Sequence, residues 1–415
     1  MAELTPPEPD LTIEYVNDAG DRRFELTSPY ASTPVVVRLR SETEVQAGCR
    51  KLGRVIADVA KQFPTARSPA GHTARQLNRL AAAGRIFLIE SVLRDARSDT
   101  NLLCALMKTA LTRRRGGRGP VPVIRCVVPP EQFLPWELLP LLNPAGDIEA
   151  TNAMELANQS RAFLGFSAII ERRDPVRQLE QDYLAAWERR LRVRLVYDAT
   201  YDGARDELGF FRARPEVDLE GPYPTGDPNA PSLAHQLVEP RVGVNGLVRE
   251  HPDHVVHFAC HCQTPERDDD PPARFRLAHK PDPEHHLWVE VDELYSELFR
   301  TFSARPVESG SLKPLVFLNA CGTARMDPHG AAALLKPFHI NGNAPIVGTA
   351  ANVPDSTAAF VSQTFYLAVL GGASVGEALH HAKWQLLEKR GDPLGLLYSV
   401  HAAAGLRVLP VLVPN

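Results

Sequence analysis

The 415-residue chain has no apolar run that approaches the roughly 20 residues a helix needs to cross a bilayer. Its six cysteines are too few for a disulfide framework, so we expect thiols in a reducing compartment. Met1 to Asp10 is acidic and proline-rich and lacks the pattern of a signal peptide. These absences predict a cytoplasmic protein with no membrane partner.

The chain also lacks a basic excess. Its 46 Lys and Arg are balanced by 50 Asp and Glu, for a net charge of −4, so no direct nucleic-acid partner is expected. The one basic run, residues 113–118, is interpreted as a solvated loop. No internal repeat of 20 to 50 residues is visible, which argues against a solenoid.

What is present is a pattern of short β-branched runs alternating with helical periodicity, typical of an α/β protein with a parallel sheet. Residues 11–40 are expected to be β-structure and residues 42–112 helical. Residues 200–245 lose periodicity and are interpreted as a long loop or insertion. The remaining predicted strands are 121–128, 163–170, 191–197, 255–259, 287–289, 315–318 and 344–349, and the remaining helices are 175–190, 292–302, 329–338, 357–370 and 375–389.

Two of these strands end in reactive side chains. The strand at 255–259 leads into His261, and the strand at 315–318 leads into Cys321. Sites in open parallel sheets form at the carboxyl ends of strands, so these two side chains can meet there. An imidazole beside a thiol allows reaction as the thiolate and can then protonate a leaving amine. We therefore interpret His261 as a general base and Cys321 as a nucleophile.

Two other interpretations compete. A cysteine such as Cys321 is by default a buried structural residue. Cys260, His261 and Cys262 with Cys321 also suggest zinc, but their spacing is too tight for the usual gap between ligands, so no metal and no cofactor is expected. Cys260 is interpreted as packing, and His254 and His257 as structural.

Five segments in order resemble the CHAT family of caspase-like peptidases, which is related to caspases, metacaspases and separases. The catalytic-type segments are residues 257–261, His-Phe-Ala-Cys-His, and residues 316–321, Val-Phe-Leu-Asn-Ala-Cys. Residues 132–139 resemble the family's Pro-Trp-Glu-Leu segment, and Trp136 and Glu137 within it are expected to be structural. The remaining likenesses are residues 345–355, a strand and turn, and residues 365–379, a helical pair.

The resemblance implies a caspase-like, mostly parallel sheet flanked by helices, with the His and Cys segments on adjacent strands. It also implies peptide-bond hydrolysis through an acyl-enzyme without a metal. Its two-part architecture divides the chain into a small β addition (1–44), a non-catalytic α/β half (45–200), the insertion (201–245) and a catalytic half (246–415).

The oxyanion of the reaction needs backbone N–H donors, for which we consider the turns at Cys262 and Gly322. Family members usually carry glycine after the catalytic His, and Cys262 departs from this. A backbone N–H survives the change, but a second thiol is added, which raises the idea of an inhibitory Cys262–Cys321 disulfide.

Two residues are candidates for the substrate pocket. Asn319 either lines the pocket or stabilises a turn. Asp355 either lies near a basic P1 side chain, as acids do in Arg- and Lys-specific relatives, or caps the helix predicted from Thr357, which we favour.

The expected function is a cysteine endopeptidase that cleaves a partner protein, regulated by a protein or signal-dependent activator or by self-cleavage. The resemblance suggests bacterial antiviral defence or programmed cell death, with a substrate that is an effector encoded nearby. The composition, rich in Ala, Arg and Pro, fits a GC-rich bacterial genome. The alternatives are a catalytically silent scaffold that binds partner proteins and a ligase that uses the same acyl-thioester.

Overall fold

In the computed structural model, the N-terminal part begins with strands and continues with helices. The structure describes residues 8–63, 67–113, 121–129, 132, 134–143, 146–175, 183–186, 190–227, 229, 231–238, 253–263, 272–282, 284, 286–304, 314–320, 334–338, 345–401 and 404–410. The first elements are β1 (Leu11–Asp18), β2 (Asp21–Thr27), β3 (Val35–Arg38), α1 (Glu42–Ala60), α2 (Ala70–Ile86) with a π-helical turn (Phe87–Val92), α3 (Ala96–Arg113) and β4 (Val123–Val127).

The elements from Trp136 onward lead to the two strands of the predicted site. A 3₁₀ turn (Trp136–Leu138) precedes α4 (Ala153–Ser160), α5 (Leu164–Ser167), β5 (Ile169–Arg173), β6 (Tyr183–Ala186), β7 (Leu191–Tyr197), α6 (Asp202–Arg212), β8 (Val217–Tyr223) and α7 (Leu233–Val238). The remaining elements are β9 (Val255–Gln263), β10 (Arg274–Leu277), β11 (Leu287–Glu290), α8 (Val291–Ala304), β12 (Leu315–Ala320), α9 (334–338), β13 (Ile346–Thr349), α10 (Asp355–Leu370), α11 (Val375–Arg390), a 3₁₀ turn (Pro393–Leu397), β14 (Tyr398–His401) and β15 (Arg407–Pro410).

Local sequence signals account for several element ends. Ser41 and Ser374 each accept a hydrogen bond from the backbone of the third helical residue, whose glutamate bonds back to the serine N–H, so α1 and α11 begin with capping boxes. At its other end α11 stops at Gly391, whose φ of +62° is a left-handed conformation that glycine adopts at little cost. These signals act over one turn and need no tertiary contact.

Thirteen strands form one sheet with a mostly parallel centre. Its main order is β11-β10-β9-β12-β13-β14-β5-β4-β1-β2-β3, and β7 pairs with β9 on one side and β8 on the other. β10 pairs with β9 near Cys262, whereas β7 pairs with the earlier part of β9 around His257. This confirms the predicted α/β class and places β9 and β12 next to each other.

Helices cover both faces of the sheet around β9 and β12. Side chains from α6, α10 and α11 join the larger buried cluster, which also includes the core of the N-terminal strands and helices. Side chains from α7, α8 and α9 join a second cluster on the other face. Successive residues of one strand point to opposite faces of the sheet and therefore join different clusters. A shift of one residue along the strand would exchange the helices that each side chain contacts.

The N-terminal strands are not separate from the main body. β1 pairs in parallel with β4, and β14 joins β5 through Val400 and His401, so one sheet runs through both parts of the chain. The predicted domain boundaries at 44, 200 and 245 stay predictions. The pairing of β1 with β4 joins strands from both sides of the first boundary.

Three expectations about local structure were wrong. The strand predicted over 163–170 is helical at Leu164–Ser167, and β5 begins only at Ile169. Residues 201–245, predicted as a loop or insertion, contain α6, β8 and α7. The sequence did not reveal them because the amphipathic pattern around Leu208 and Phe211 is short and is followed by proline-rich turns. The helix predicted over 175–190 contains the strand β6, which pairs with β15 near the end of the chain. That distant pairing overrides the local helical pattern.

Candidate active site

Strand β9 carries the predicted base on a face shared with two buried residues. His257, Ala259 and His261 alternate along one face, and His257 is fully buried against α6 and α10. The opposite face contributes Val256, Phe258, Cys260 and Cys262 to the second cluster. Because strand side chains alternate, His261 projects from the same face as His257 and away from the two cysteines beside it.

Strand β12 runs parallel to β9 and ends at Ala320, one residue before the predicted nucleophile in the sequence. Asn319 is opposite Ala259 and Ala320 is opposite Cys260 in the register of the two strands. The next residue of each strand sequence is Cys321 and His261 respectively. Cys321 and Gly322 lie outside the described residues, so their predicted roles stay predictions.

His261 is half-buried in a polar corner. Its cross-strand neighbour on β10 is Arg276, and the Tyr201 ring centroid lies 6.4 Å from the imidazole centroid. Burial lowers the pKa of His261, Arg276 lowers it further, and Asp198 acts in the opposite direction. The net lowering keeps the imidazole neutral near pH 7, which is the form that can accept a proton.

Asp198 organises this corner from the carboxyl end of β7. The carboxylate is fully buried, and its two oxygens accept from Arg276 Nε at 2.8 Å and from Thr200 Oγ1 at 2.6 Å. The same guanidinium donates to the Tyr201 hydroxyl at 2.5 Å and lies over the Tyr201 ring at 4.9 Å. These contacts hold Arg276 and Tyr201 in fixed positions beside His261.

Asp355 lies at the start of α10, close to the same charges. Burial raises the pKa of Asp355, and the carboxylates of Asp202, Glu207 and Asp198 raise it further, against a lowering by Arg276. The expectation that Asp355 caps a helix starting at Thr357 was wrong. Helix α10 begins at Asp355 itself, the preceding Pro354 occupies the cap position and no side chain caps that end.

Helix α6 packs against this start of α10 with almost no space between the backbones. A Cβ added at Gly203 would lie 2.5 Å from the carbonyl oxygen of Asp355. Glycine at this position therefore permits the close approach that brings Asp355 toward Asp202 and Glu207.

The Asn319 side chain bonds within the protein, which favours the stabilising one of its two interpretations, and its place in the substrate pocket stays a prediction. The side chain is 6% exposed, and its amide is bonded within the protein on both sides. Nδ2 donates to Glu207 Oε1 at 2.8 Å and to the Ala358 carbonyl at 3.0 Å, while Oδ1 accepts from the Tyr398 hydroxyl at 2.8 Å. Because its donors and its acceptor are engaged, the amide serves the internal structure.

Cys262 is buried at 4% exposure in the second cluster, and its backbone lies opposite Phe275 of β10. The thiol therefore packs on the face of β9 opposite His261, which speaks against a disulfide that closes over the site. The main chain of Cys262 directly follows His261, so its predicted role as an oxyanion donor depends on the backbone alone and stays a prediction.

Sequence reasoning missed four residues of this region, namely Asp198, Tyr201, Glu207 and Arg276. Asp198 follows the buried strand β7 directly, so the rule that sites form at the carboxyl ends of strands could have found it. Glu207 and Arg276 carry no comparable signal, because they reach the site only through packing of α6 and pairing of β10. The structural roles predicted for His257, Trp136 and Glu137 are confirmed by their burial and, for both polar side chains, by buried hydrogen bonds.

Residues 213–401 match the family model described as CHAT domain. This stretch, somewhat under half of the chain, is therefore similar to a CHAT domain. Every element from β8 to β14 falls within this match, including the two strands β9 and β12. The likeness noted in the sequence at residues 132–139 lies outside the matched range.

The chain is also similar to longer proteins. It is 26% identical over 175 residues to a "Probable protease" of Vitiosangium sp. (strain GDMCC 1.1324), which covers 42% of this chain and 21% of that protein. Crystal structures of the Saccharomyces cerevisiae separase–securin complex at 2.6 and 3.0 Å align with 96% of this chain and 30% of theirs, with TM-scores of 0.47 and 0.45 and identities of 12% and 11%. The chain thus spans less than a third of the length of each.

None of the described helices is both long enough and apolar enough to cross a membrane.

Proposed function

We propose that this protein is a cysteine endopeptidase in which His261 is the general base and Cys321 the nucleophile. The observation that carries the proposal is the parallel register of β9 and β12. Ala259 is opposite Asn319 and Cys260 is opposite Ala320, and in each strand the next residue in the sequence is one of the proposed pair. The matching CHAT domain and the protease named among the relatives support peptidase chemistry.

The reaction begins with proton transfer from the Cys321 thiol to the His261 imidazole. The lowered pKa of His261 supports this step, because a neutral imidazole must be present to accept the proton. The thiolate then attacks the scissile carbonyl carbon and forms a tetrahedral oxyanion. Backbone N–H groups of Cys262 and Gly322 are the proposed oxyanion donors.

Collapse of this intermediate breaks the C–N bond, and protonated His261 gives its proton to the leaving amine. The acyl group stays on Cys321 as a thioester. A water molecule, deprotonated by His261, attacks the thioester carbonyl, and the proton returns to the sulfur as the acid product leaves. The cycle consumes one water and needs no metal or other cofactor.

Asp355 is the proposed pocket acid for a basic P1 side chain. Its carboxyl stands close enough to Asp198, Asp202 and Glu207 for these acids to raise its pKa. A lysine or arginine side chain from the substrate would relieve this crowding of negative charge, whereas an acidic P1 side chain would increase it. We therefore expect Arg or Lys to be preferred over Asp and Leu at P1.

The biological setting that we propose is a regulated protease in bacterial antiviral defence or programmed cell death. The support is the CHAT domain and the family resemblance that the sequence carries. The substrate would be a partner protein, such as an effector encoded nearby, and an activator protein or signal would control access to the site.

Covalent trapping tests the proposal. Wild type, Cys321→Ala, His261→Ala and the matched control Cys262→Ala are incubated with peptidyl acyloxymethyl ketones bearing Arg, Lys, Asp or Leu at P1, with and without proteins encoded nearby. We expect a single adduct, mapped to Cys321 by peptide mass, in wild type and Cys262→Ala only. The adduct should form fastest with Arg or Lys, and Asp355→Asn should reduce that preference.

An adduct that persists in Cys321→Ala would show that another residue is the nucleophile. The complete absence of adducts in wild type, with every P1 residue and every nearby protein, would favour the scaffold alternative.

A further inference from the structure

One buried carboxylate contacts both strands that lead to the proposed catalytic pair. Glu207 lies on α6 and is 2% exposed. Its Oε1 accepts a hydrogen bond from Asn319 Nδ2 on β12 at 2.8 Å, and its Oε2 bonds to His257 Nε2 on β9. Asn319 stands two residues before Cys321, and His257 stands four before His261. Glu207 therefore joins the two strands near their reactive ends.

Both partners of Glu207 are held on their far sides as well. The Tyr366 hydroxyl lies 2.9 Å from Nδ1 of His257, and the Tyr398 hydroxyl donates to Oδ1 of Asn319 at 2.8 Å. A carboxylate can only accept, so Nε2 of His257 donates to Glu207, while its Nδ1 shares a hydrogen bond with the Tyr366 hydroxyl. Each polar atom of the imidazole and the amide thus has a partner, which fixes both side chains in one orientation.

The position of this network separates it from the catalytic machinery. His257 and Tyr366 are fully buried, and Glu207 and Asn319 are nearly so, which leaves no surface for a substrate to touch. Backbone pairing sets the register of β9 and β12, but side-chain contacts from the covering helix decide how the two strand ends sit relative to that helix. Displacement of a reacting group by about 1 Å can cost on the order of a hundredfold in rate.

We propose that Glu207 is a positioning residue, which ties the ends of β9 and β12 to α6 so that the His261 imidazole reaches the Cys321 thiol. The inference rests on the proposed function, since it needs the His–Cys pair. It goes beyond that function because it assigns a role to a buried acid that meets neither the substrate nor the reacting atoms.

The test measures the rate at which iodoacetamide alkylates Cys321 at pH 7, followed by peptide mass. The other five cysteines are buried at 7% exposure or less, and the mass assignment separates them from Cys321. The variants are His261→Ala, Glu207→Gln and the control Glu171→Gln. Glu171 is 3% exposed on β5, with β13 and β14 between it and β12 in the sheet.

We expect alkylation to slow by about thirtyfold in His261→Ala, because an unassisted thiol is only a few per cent ionised at pH 7. Glu207→Gln keeps the side-chain volume but places an NH₂ group where an acceptor oxygen was, and should slow alkylation about tenfold. Glu171→Gln should stay within about twofold of wild type, because its partners Arg125 and Arg173 can turn to solvent and the glutamine oxygen can still accept from the Ala404 N–H. Once a peptide substrate is identified, Glu207→Gln should lower kcat for its hydrolysis and leave KM nearly unchanged.

The two proposals fail differently. If His261→Ala leaves alkylation unchanged, the catalytic pair is wrong and the positioning role falls with it. If His261→Ala slows alkylation but folded Glu207→Gln does not, or if Glu171→Gln slows it equally, the positioning role alone is wrong. Should Glu207→Gln not fold, Tyr366→Phe removes only the hydroxyl on His257 and should slow alkylation about fivefold, the equivalent of one hydrogen bond.

Discussion

Two buried glutamates, Glu137 and Glu207, organise different parts of the molecule with different partners. Glu137 precedes strand β5 in the chain and binds the guanidinium of Arg172 through both oxygens, one contact being 2.6 Å. Burial alone would raise the pKa of Glu137, but the charge and hydrogen bonds of Arg172 outweigh it and the pKa is lowered. Glu207 instead meets an imidazole and an amide.

The partners indicate what each carboxylate does. An arginine keeps its charge at all physiological pH values, so Glu137 and Arg172 form a permanent link between the Trp136–Leu138 turn and β5. The imidazole and amide beside Glu207 each have a second face that bonds to another element, so that carboxylate sits at a junction of α6, β9 and β12. Glu137 thus links two elements within the core, whereas Glu207 has the proposed role of positioning the strands of the site.

Removal of the Glu137 carboxylate tests its role as a link within the core. Glu137→Ala leaves the Arg172 guanidinium buried without its carboxylate and should lower the free energy of unfolding by about 3–5 kcal/mol. Urea denaturation followed by circular dichroism measures this loss. The rate of Cys321 alkylation per folded molecule should not change, and a slowed rate would contradict the division of roles.

A second prediction concerns Lys383 of α11, which is buried close to Glu137 and Arg172. Burial lowers the pKa of Lys383 from 10.5 to about 8, with Glu137 opposing that change. The unfolded chain therefore binds more protons than the folded chain between pH 8 and pH 10.5, and stability should rise with pH across this window. The rise should amount to about 3 kcal/mol.

Lys383→Met removes the titrating group and should remove that rise. Urea denaturation of wild type and variant at several pH values from 7 to 10.5 gives the difference in unfolding free energy. The difference between the two unfolding free energies cancels the contribution of tyrosines and cysteines that titrate in the same range. A constant difference across the window would show that Lys383 does not titrate there.

Removal of the Tyr398 hydroxyl tests the junction around Glu207. Tyr398→Phe removes the hydroxyl that donates to Asn319 Oδ1 and should cost about 1–3 kcal/mol of stability. Because Asn319 connects to Glu207, the same change should also slow Cys321 alkylation. Thermal unfolding and the alkylation assay measure both effects. Lost stability with an unchanged alkylation rate would confine Tyr398 to the core.

The sequence alone was enough to predict the α/β class and most strands and helices of the C-terminal half. The strand over Leu191–Tyr197 and the helix over Val375–Arg390 were anticipated almost residue for residue, since each carries its own apolar pattern and end signals. Elements whose pattern is weak or short were not found. β6 depends on β15, more than 200 residues later, and α6 lies between turn-rich segments.

The chemistry-bearing residues divide in the same way. His261 and Cys321 could be named from the sequence because each comes just after an apolar run that predicts a buried strand, and such a run is a local signal. The strand itself continues past His261 to Gln263. Tertiary structure alone decided three other features. These are the hydrogen bonds from Asn319 to Glu207 and from Tyr398 to Asn319, the ion pair of Asp198 with Arg276, and the start of α10 at Asp355. A buried polar side chain takes whichever partner the packed helices and strands bring within hydrogen-bond distance, and a one-dimensional pattern does not contain that information.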